Sequence, residues 1–349
     1  MEARNSRESD ASRPAALESV TELDLALVNA LQVRPRATWA ELAGPLGATA
    51  STLARRWQRL SGDGLAWVTA VPGRESSLGT CSAFATIRCR HGARDLVAEW
   101  LTERPEVATI ETTLGGTDLL CDVFSSGLRG LGRFLTEELD RVDGIVSTEA
   151  VLITSVYFEG TRWRLRALDS TQISALAHER SKPLPQPVSL DAVDHALLDE
   201  LVRDGRLTWI ELARRTGVST ATARRRVTRL STAGIVAFRC DVADSLAGWP
   251  IPVSLTGSAR ASELDSICRG LAALPECRLV AAVTGRANIF ATLWVRTPAD
   301  AQRLEAAISE RVPAMRITDR IVGLHTQKRM GHLLDHEGRR VGVRPISPW

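Results

Sequence analysis

The chain nearly repeats itself at an offset of 170 residues, and no other property of the sequence limits its fold as strongly. Segment 23–65, LDLALVNALQVRPRATWAELAGPLGATASTLARRWQRLSGDGL, aligns without a gap on 193–235, VDHALLDELVRDGRLTWIELARRTGVSTATARRRVTRLSTAGI, with 18 identities in 43 positions. The offset continues beyond it, pairing Pro105 with Pro275, Gly115 with Gly285, Val142 with Val312 and Thr148 with Thr318. A unit of roughly 135 residues in two copies is too long and too few for a solenoid. The chain therefore reads as a two-domain protein fused to a copy of itself.

The first part of each copy has helical periodicity. Leu23, Leu27, Val28 and Leu31 share one helical face, and Val193, Leu197, Leu198 and Leu201 repeat it. Thr38 with Glu41, and Thr208 with Glu211, have the spacing of a capping box at the start of a second helix. Gly47 and Gly217 mark a tight turn, and Thr49 and Ser219 suit the N-cap of a third helix. This succession is the helix-turn-helix pattern, expected over 17–72 and 189–242. Pro45 stands near the end of the second helix of copy one and is expected to shorten it.

Net charge is only +3, but its distribution is uneven. Segment 203–229 holds eight arginines against two acids, +6, and the matching 33–59 holds five against one, +4. Basic charge thus gathers where DNA would lie. On the third helix Ala223, Val227 and Leu230 face the core, leaving Thr220, Thr222, Arg224, Arg225 and Arg229 outward as DNA-binding candidates. The DNA-binding candidates on the third helix of copy one are Ser51, Thr52, Arg55 and Arg59, while Arg226 has the alternative reading of an internal anchor. Copy one is the weaker reader, because Gly44-Pro45 replaces Arg214-Arg215 and Trp57 replaces Val227.

The second part of each copy reads β-α-β-β-α-β, over 76–160 and 246–330. This is the order of a ferredoxin-like unit, so the expected fold class is α+β, two winged-type helix-turn-helix domains each followed by a ferredoxin-like domain. An antiparallel sheet with both helices on one face leaves the other face to be covered, so self-association is expected, either as a pseudo-dimer within the chain or as a homodimer. Residues 1–16 read as a disordered arm, 161–188 as a linker whose SKPLPQPVS favours an extended spacer, and 331–349 as a basic tail, phosphate-binding or disordered.

These segments together resemble the Lrp/AsnC (feast/famine) family of transcription regulators, in tandem-duplicated form. The likeness is carried by 193–235, more loosely by 23–65, and by Gly115-x-x-Asp118 and Gly285-x-x-Asn288 at the turn between two strands. The resemblance implies a regulator that binds double-stranded DNA as a dimer or higher oligomer and senses an amino acid or related small molecule. It makes Gly115, Asp118, Gly285 and Asn288, with Thr148 and Thr318 as weaker members, the effector-site candidates; backbone turn preference is the competing account of the glycines and Asx residues. Asp118 suits a ligand ammonium, which Asn288 cannot match by charge.

Little else in the chain points to chemistry. The six cysteines form no CxxC, no cluster has metal-ligand spacing, and no nucleophile elbow or phosphate loop occurs, so no catalytic residue, metal or cofactor is expected. The six histidines do not recur at the repeat offset and are expected at the surface. No apolar run is long enough to span a membrane and the N-terminus lacks a signal-peptide core, so a cytoplasmic location is expected. Two alternatives stay open: an enzyme of the same architecture resembling siroheme decarboxylase, and a ligand-sensing protein with one working DNA reader.

Overall fold

The computed structural model describes residues 20–73, 80–176 and 189–349. The first half begins with α1 (Glu22–Val33), α2 (Trp39–Leu46), α3 (Ala50–Gly62) and strand β1 (Ala66–Pro72). Its sheet unit is β2 (Cys81–Cys89), α4 (Arg94–Thr102), β3 (Val107–Leu114), β4 (Leu119–Ser125), α5 (Leu128–Arg133, prolonged by irregular turns to Arg141) and β5 (Ile145–Phe158), followed by α6 (Ser170–Leu176). The second half repeats the plan with α7 (Ala192–Arg203), α8 (Trp209–Thr216), α9 (Thr220–Thr232), β6 (Val236–Val242) and the short α10 (Asp244–Ala247). Its sheet unit is β7 (Ile251–Ser258), α11 (Leu264–Ala272), β8 (Cys277–Val283), β9 (Ile289–Val295), α12 (Pro298–Arg311) and β10 (Arg316–Arg329), and the chain closes on β11 (His332–Leu334) and β12 (Arg340–Val343). The α+β order expected from the sequence is therefore present twice.

The two sheets, β3-β4-β2-β5 and β8-β9-β7-β10, join edge to edge. Strand β5 pairs with β8, with Ile153 opposite Val283, and β10 pairs with β3, with Val322 opposite Leu114. Eight strands thus close into a ring, which leaves those four edges no unpaired row of donors and acceptors. Outside the ring, Val97, Leu101 and Phe134 pack on Ile110 and Leu119 in one half, and Ile267, Leu271 and Ile308 on Val280 and Leu293 in the other. Inside it, Phe84 stacks on Phe290 at 3.9 Å between ring centroids, beside Leu120, Ala281 and Val283. The open sheet faces cover each other, so of the two pairings the sequence allows, the structure contains the one within the chain.

The helical modules are paired too. Strands β1 and β6 form an antiparallel ribbon in which Thr69 lies opposite Arg239, two residues 170 positions apart, so a pseudo-twofold axis passes between them. Helix α1 packs on β6 and α7 on β1, so each module rests on a strand of the other copy.

Three expectations are corrected. Pro45 does not shorten α2, which has eight residues like α8. Gly44 before it has no Cβ to meet the proline ring, and a two-turn helix loses only one internal hydrogen bond. The segment after β5 is not a plain spacer: Trp163, Leu168 and Leu176 are buried in the core of the first helical module, and Asn29 Oδ1 accepts from the Ala167 and Leu168 N–H groups. The proline run that suggested a spacer falls outside the described residues, as does the expected N-terminal arm. The C-terminal tail is ordered. Ile346 is fully buried against the second helical module, Arg340 N–H donates to Gly64 O, and Arg344 pairs with Glu103 at 2.7 Å.

Candidate nucleic-acid interface and effector turn

In both modules the third helix is held by the first. Asp24 sits at the third position of α1, where its carboxylate accepts from the N–H and hydroxyl of the N-cap residue Thr21. The same buried carboxylate binds Arg56 at 3.0 Å and Arg59 at 2.7 Å, both on α3. Asp194 repeats this at the start of α7, binding Arg226 at 3.1 Å and Arg229 at 2.6 Å. Burial pushes the Asp24 carboxyl up, but the bonds from Thr21 and Arg56 and the charge of Arg59 outweigh it and leave it below the usual carboxylate range. These aspartates were missed in the sequence, although each is an acid in an apolar stripe, retained at the offset together with its two arginines.

Asp194→Asn is expected to cost about 2 kcal/mol of stability in the second module, less than for a fully buried pair because Arg226 and Arg229 reach solvent. Urea unfolding followed by hydrogen exchange in α7–α9 measures it. A loss below about 0.5 kcal/mol would mean the anchor is dispensable.

The anchors change how the arginine count reads. Arg226 is the internal anchor that the sequence allowed, and Arg229 and Arg59, named as DNA-binding candidates, each give one face to a buried aspartate. Arg214 and Arg215 pair with Glu211, which therefore does not complete its capping box; Thr208 caps the Glu211 N–H alone. The Thr38–Glu41 box does form, and Arg34 pairs with Glu41. Arg36 and Arg206 are turned toward the opposite helical module. What remains exposed on the third helices, with no ion pair among the described residues, is Arg224 and Arg225 on α9 and Arg55 on α3. The position of Arg224 is Ala54 in copy one.

The exposed face of α9 forms an open groove lined by Trp209, Thr220, Ala221, Arg224, Arg225 and Thr228. Thr222 lies beside it with its hydroxyl accepting from the Ser219 N-cap at 2.9 Å. In copy one Ser51 is exposed and Thr52 is bonded to the Thr49 N-cap at 2.9 Å. Gly47 and Gly217 end α2 and α8 with φ of +60° and +69°, the left-handed conformation that turns the chain into the third helix.

Of the effector candidates, the two glycine turns lie where the two sheets meet. Gly115 and Gly285 have φ of +119° and +107°, and a Cβ on them would approach Arg320 O and Val151 respectively, each in the other half. Asp118 Oδ2 accepts from Cys89 N–H at 2.8 Å. Asn288 makes two bonds to the equivalent residue, accepting from Ala259 N–H at 3.0 Å and donating to Ala259 O at 2.9 Å. Both side chains therefore tie the turn to the end of a neighbouring strand, the role that backbone turn preference assigns them. The Thr148 hydroxyl is buried with no hydrogen-bond partner among the described residues, whereas Thr318 bonds Thr256 at 2.9 Å.

The histidines are not uniformly at the surface. His332 is fully buried, contacts Val202 O at 3.1 Å and packs beside Trp67; burial pushes its pKa down to about 3. His91 and His336 are exposed, His195 and His325 are half-buried, and His178 lies outside the described residues. Among the described residues no group of acids, histidines and cysteines is arranged to hold a metal, and no helix is long and apolar enough to cross a membrane.

An AsnC-type helix-turn-helix domain is matched at residues 20–61 and again at 190–231, and an Lrp/AsnC ligand binding domain at 82–163. An uncharacterized HTH-type transcriptional regulator of Pyrococcus abyssi (strain GE5 / Orsay) is 34% identical over 138 residues, which are 39% of this chain and 82% of the relative. The chain belongs to the Lrp/AsnC family. It is a transcriptional regulator of the Lrp/AsnC type with its helix-turn-helix duplicated. A second such regulator, of Pyrococcus horikoshii, is 33% identical over 131 residues, 37% of this chain and 81% of its own length. These Lrp/AsnC relatives thus correspond to one of the two units. Across both units the fold is similar to that of the siroheme decarboxylase NirDL, with a TM-score of 0.59 and 14% identity over 89% of this chain and 93% of that one.

Proposed function

We propose that this Lrp/AsnC protein recognises an imperfect palindrome in double-stranded DNA with two unequal readers, α3 and α9, both supplied by one chain. The observation that carries the reading is the pair of exposed arginines, Arg224 and Arg225, left without ionic partners on α9 when the other arginines of the module are engaged. Arg224, Arg225, Thr220 and Thr222 form the stronger reader, and Ser51, Thr52 and Arg55 the weaker. Arg59 and Arg229 are anchors whose exposed edges reach phosphate. The seam turns at Gly115–Asp118 and Gly285–Asn288, with Thr148 and Thr318, take an amino acid or related small effector, and the protein acts in the cytoplasm by binding, without catalysis or a cofactor.

Footprinting on the DNA upstream of its own coding sequence tests this. The expected result is two protected half-sites about one helical turn or a multiple apart, with affinity falling steeply as salt rises. Protection of a single half-site, unaffected by mutating the neighbouring sequence, would contradict two readers. The likeness to NirDL over both halves favours one second reading, an enzyme acting on a tetrapyrrole. Titration with an iron tetrapyrrole, followed by its absorption band, separates the two: a saturable band shift with no DNA footprint favours the enzyme.

A further inference from the structure

Two arginines related by the repeat cross between the helical modules. Arg36 lies in the loop between α1 and α2, and Arg206, its counterpart, between α7 and α8. The Arg36 guanidinium donates to Gly205 O and, at 2.9 Å, to Leu207 O in the opposite module. Arg206 returns the contact, donating to Pro35 O at 2.6 Å and Ala37 O at 2.9 Å. Each guanidinium also lies over a tryptophan at the start of the other module's second helix: Arg36 at 4.2 Å from the Trp209 ring, Arg206 at 4.0 Å from that of Trp39. Burial pushes both pKa values down to about 10, with mutual repulsion adding to the effect at Arg36, so both stay charged at neutral pH.

We infer that Arg36 and Arg206 are a reciprocal clamp that fixes the distance and angle between the two DNA-reading helices and thereby selects the spacing of the half-sites. Each arginine is attached to the loop that precedes one second helix and grips both the loop and the first residue of the other. Two donors and a ring face define position and direction together, which a flexible lysine ammonium cannot reproduce. The nearby ribbon of β1 and β6 joins the modules at one line near the pseudo-twofold axis. With α1 packed on β6 and α7 on β1, that ribbon is the shared floor of both modules, and the two guanidinium grips, related by the axis, tie the loop and first turn of each second helix to it. The second helix of each module packs directly on the third, so a fixed second helix fixes the reader. These two residues counted toward the basic charge of the DNA face in the sequence, and the structure assigns them to the interface between readers.

This inference rests on the proposed DNA recognition, and its test separates the two. A footprinted site is rebuilt with the spacer between half-sites lengthened or shortened by two base pairs. The parent is expected to lose about tenfold or more in affinity, because each base pair turns one half-site about a tenth of a revolution from the other. The double variant R36A/R206A is expected to flatten that profile to about threefold or less, with R36K/R206K close to it rather than to the parent. Failure of the parent to bind any site overturns DNA recognition, not the clamp. An unchanged spacing profile in the variants, whatever their thermal stability, overturns the clamp. A measurement that keeps both arginines guards against variants that do not fold: the distance between spin labels carried by unnatural residues at the exposed positions Gln58 on α3 and Ser231 on α9, outside the named readers. One narrow distance, the same with and without DNA, is expected; a broad distribution in the free protein overturns the inference.

Discussion

Replacing Arg224 and Arg225 together by alanine is expected to weaken binding to the footprinted site at least tenfold and to lower the salt slope by up to about two. The magnitude follows from what these side chains are free to do. Each exposed guanidinium that reaches a phosphate displaces about one counterion, and one that reaches a guanine edge contributes about 1–3 kcal/mol of discrimination. Neither residue has an ion pair among the described residues, so removing them leaves no buried charge behind. Alanine is also the best helix former, so the thermal midpoint should hold. The contrast with Arg226 is sharp, because its loss takes a partner from buried Asp194 and should lower stability first. Arg55→Ala in the other reader is expected to have a smaller effect, because α3 carries one such arginine where α9 carries two. Footprinting of the double variant should lose protection over one half-site and keep it over the other. Equal affinity and an equal salt slope in variant and parent would remove α9 as the stronger reader.

The duplicated architecture was legible because both of its signals are local. Helical periodicity, caps and turn glycines are set within a few residues, and the strand–helix alternation of the sheet units follows the same kind of pattern. Charge was less legible. A count of arginines does not distinguish one that faces DNA from one that meets a carboxylate or a carbonyl across the molecule. Arg36 lies 171 positions from Leu207, whose carbonyl it binds, and nothing in either neighbourhood announces the contact. The tail failed for the same reason: its basic residues read as phosphate-binding or disordered, yet Ile346 fills the second helical core and Arg340 donates to Ser61 O far back along the chain. The effector turn shows the reverse limit. Gly115 and Asp118 were found from a family resemblance, and their geometry is accounted for by backbone demands alone, so ligand binding there needs its own test. Thermal-shift measurement with amino acids, expected to raise the midpoint for the effector and to lose the rise in Asp118→Ala, is that test.

The two halves also differ inside the ring, and this gives the other large effect. Glu111 on β3 and Asp122 on β4 point into the space between the sheets, where the repeat places Ala281 and Thr292 in the second half. Burial pushes the Glu111 carboxyl up to about 8, helped by the negative charge of Asp122 and opposed by Arg329, with Asp244 adding a little more repulsion. Burial raises Asp122 to about 6, against a hydrogen bond from Thr109 and the charge of Arg239. A carboxyl raised in the folded state holds its proton where the unfolded chain has released it. Between the ordinary value of 4.5 and about 8 the folded protein therefore binds more protons than the unfolded one, and stability must fall as pH rises through that window. Below it both states are protonated and the full stability is present; above it both are ionised and the loss is complete. Glu111→Gln keeps the shape and removes the ionisation. At pH 8 the variant is expected to be more stable than the parent by on the order of 2 kcal/mol, allowing for relaxation and water entry around the charged parent. Near pH 4.5 the two should unfold alike, and the variant's stability should vary less with pH between these limits, with the Asp122 contribution remaining at the acid end. Urea unfolding across that range reads the difference directly. Parallel curves for parent and variant would mean that Glu111 is already ionised at neutral pH, matched by the Arg329 charge, and that the interior of the ring carries an ion pair in place of a neutral acid.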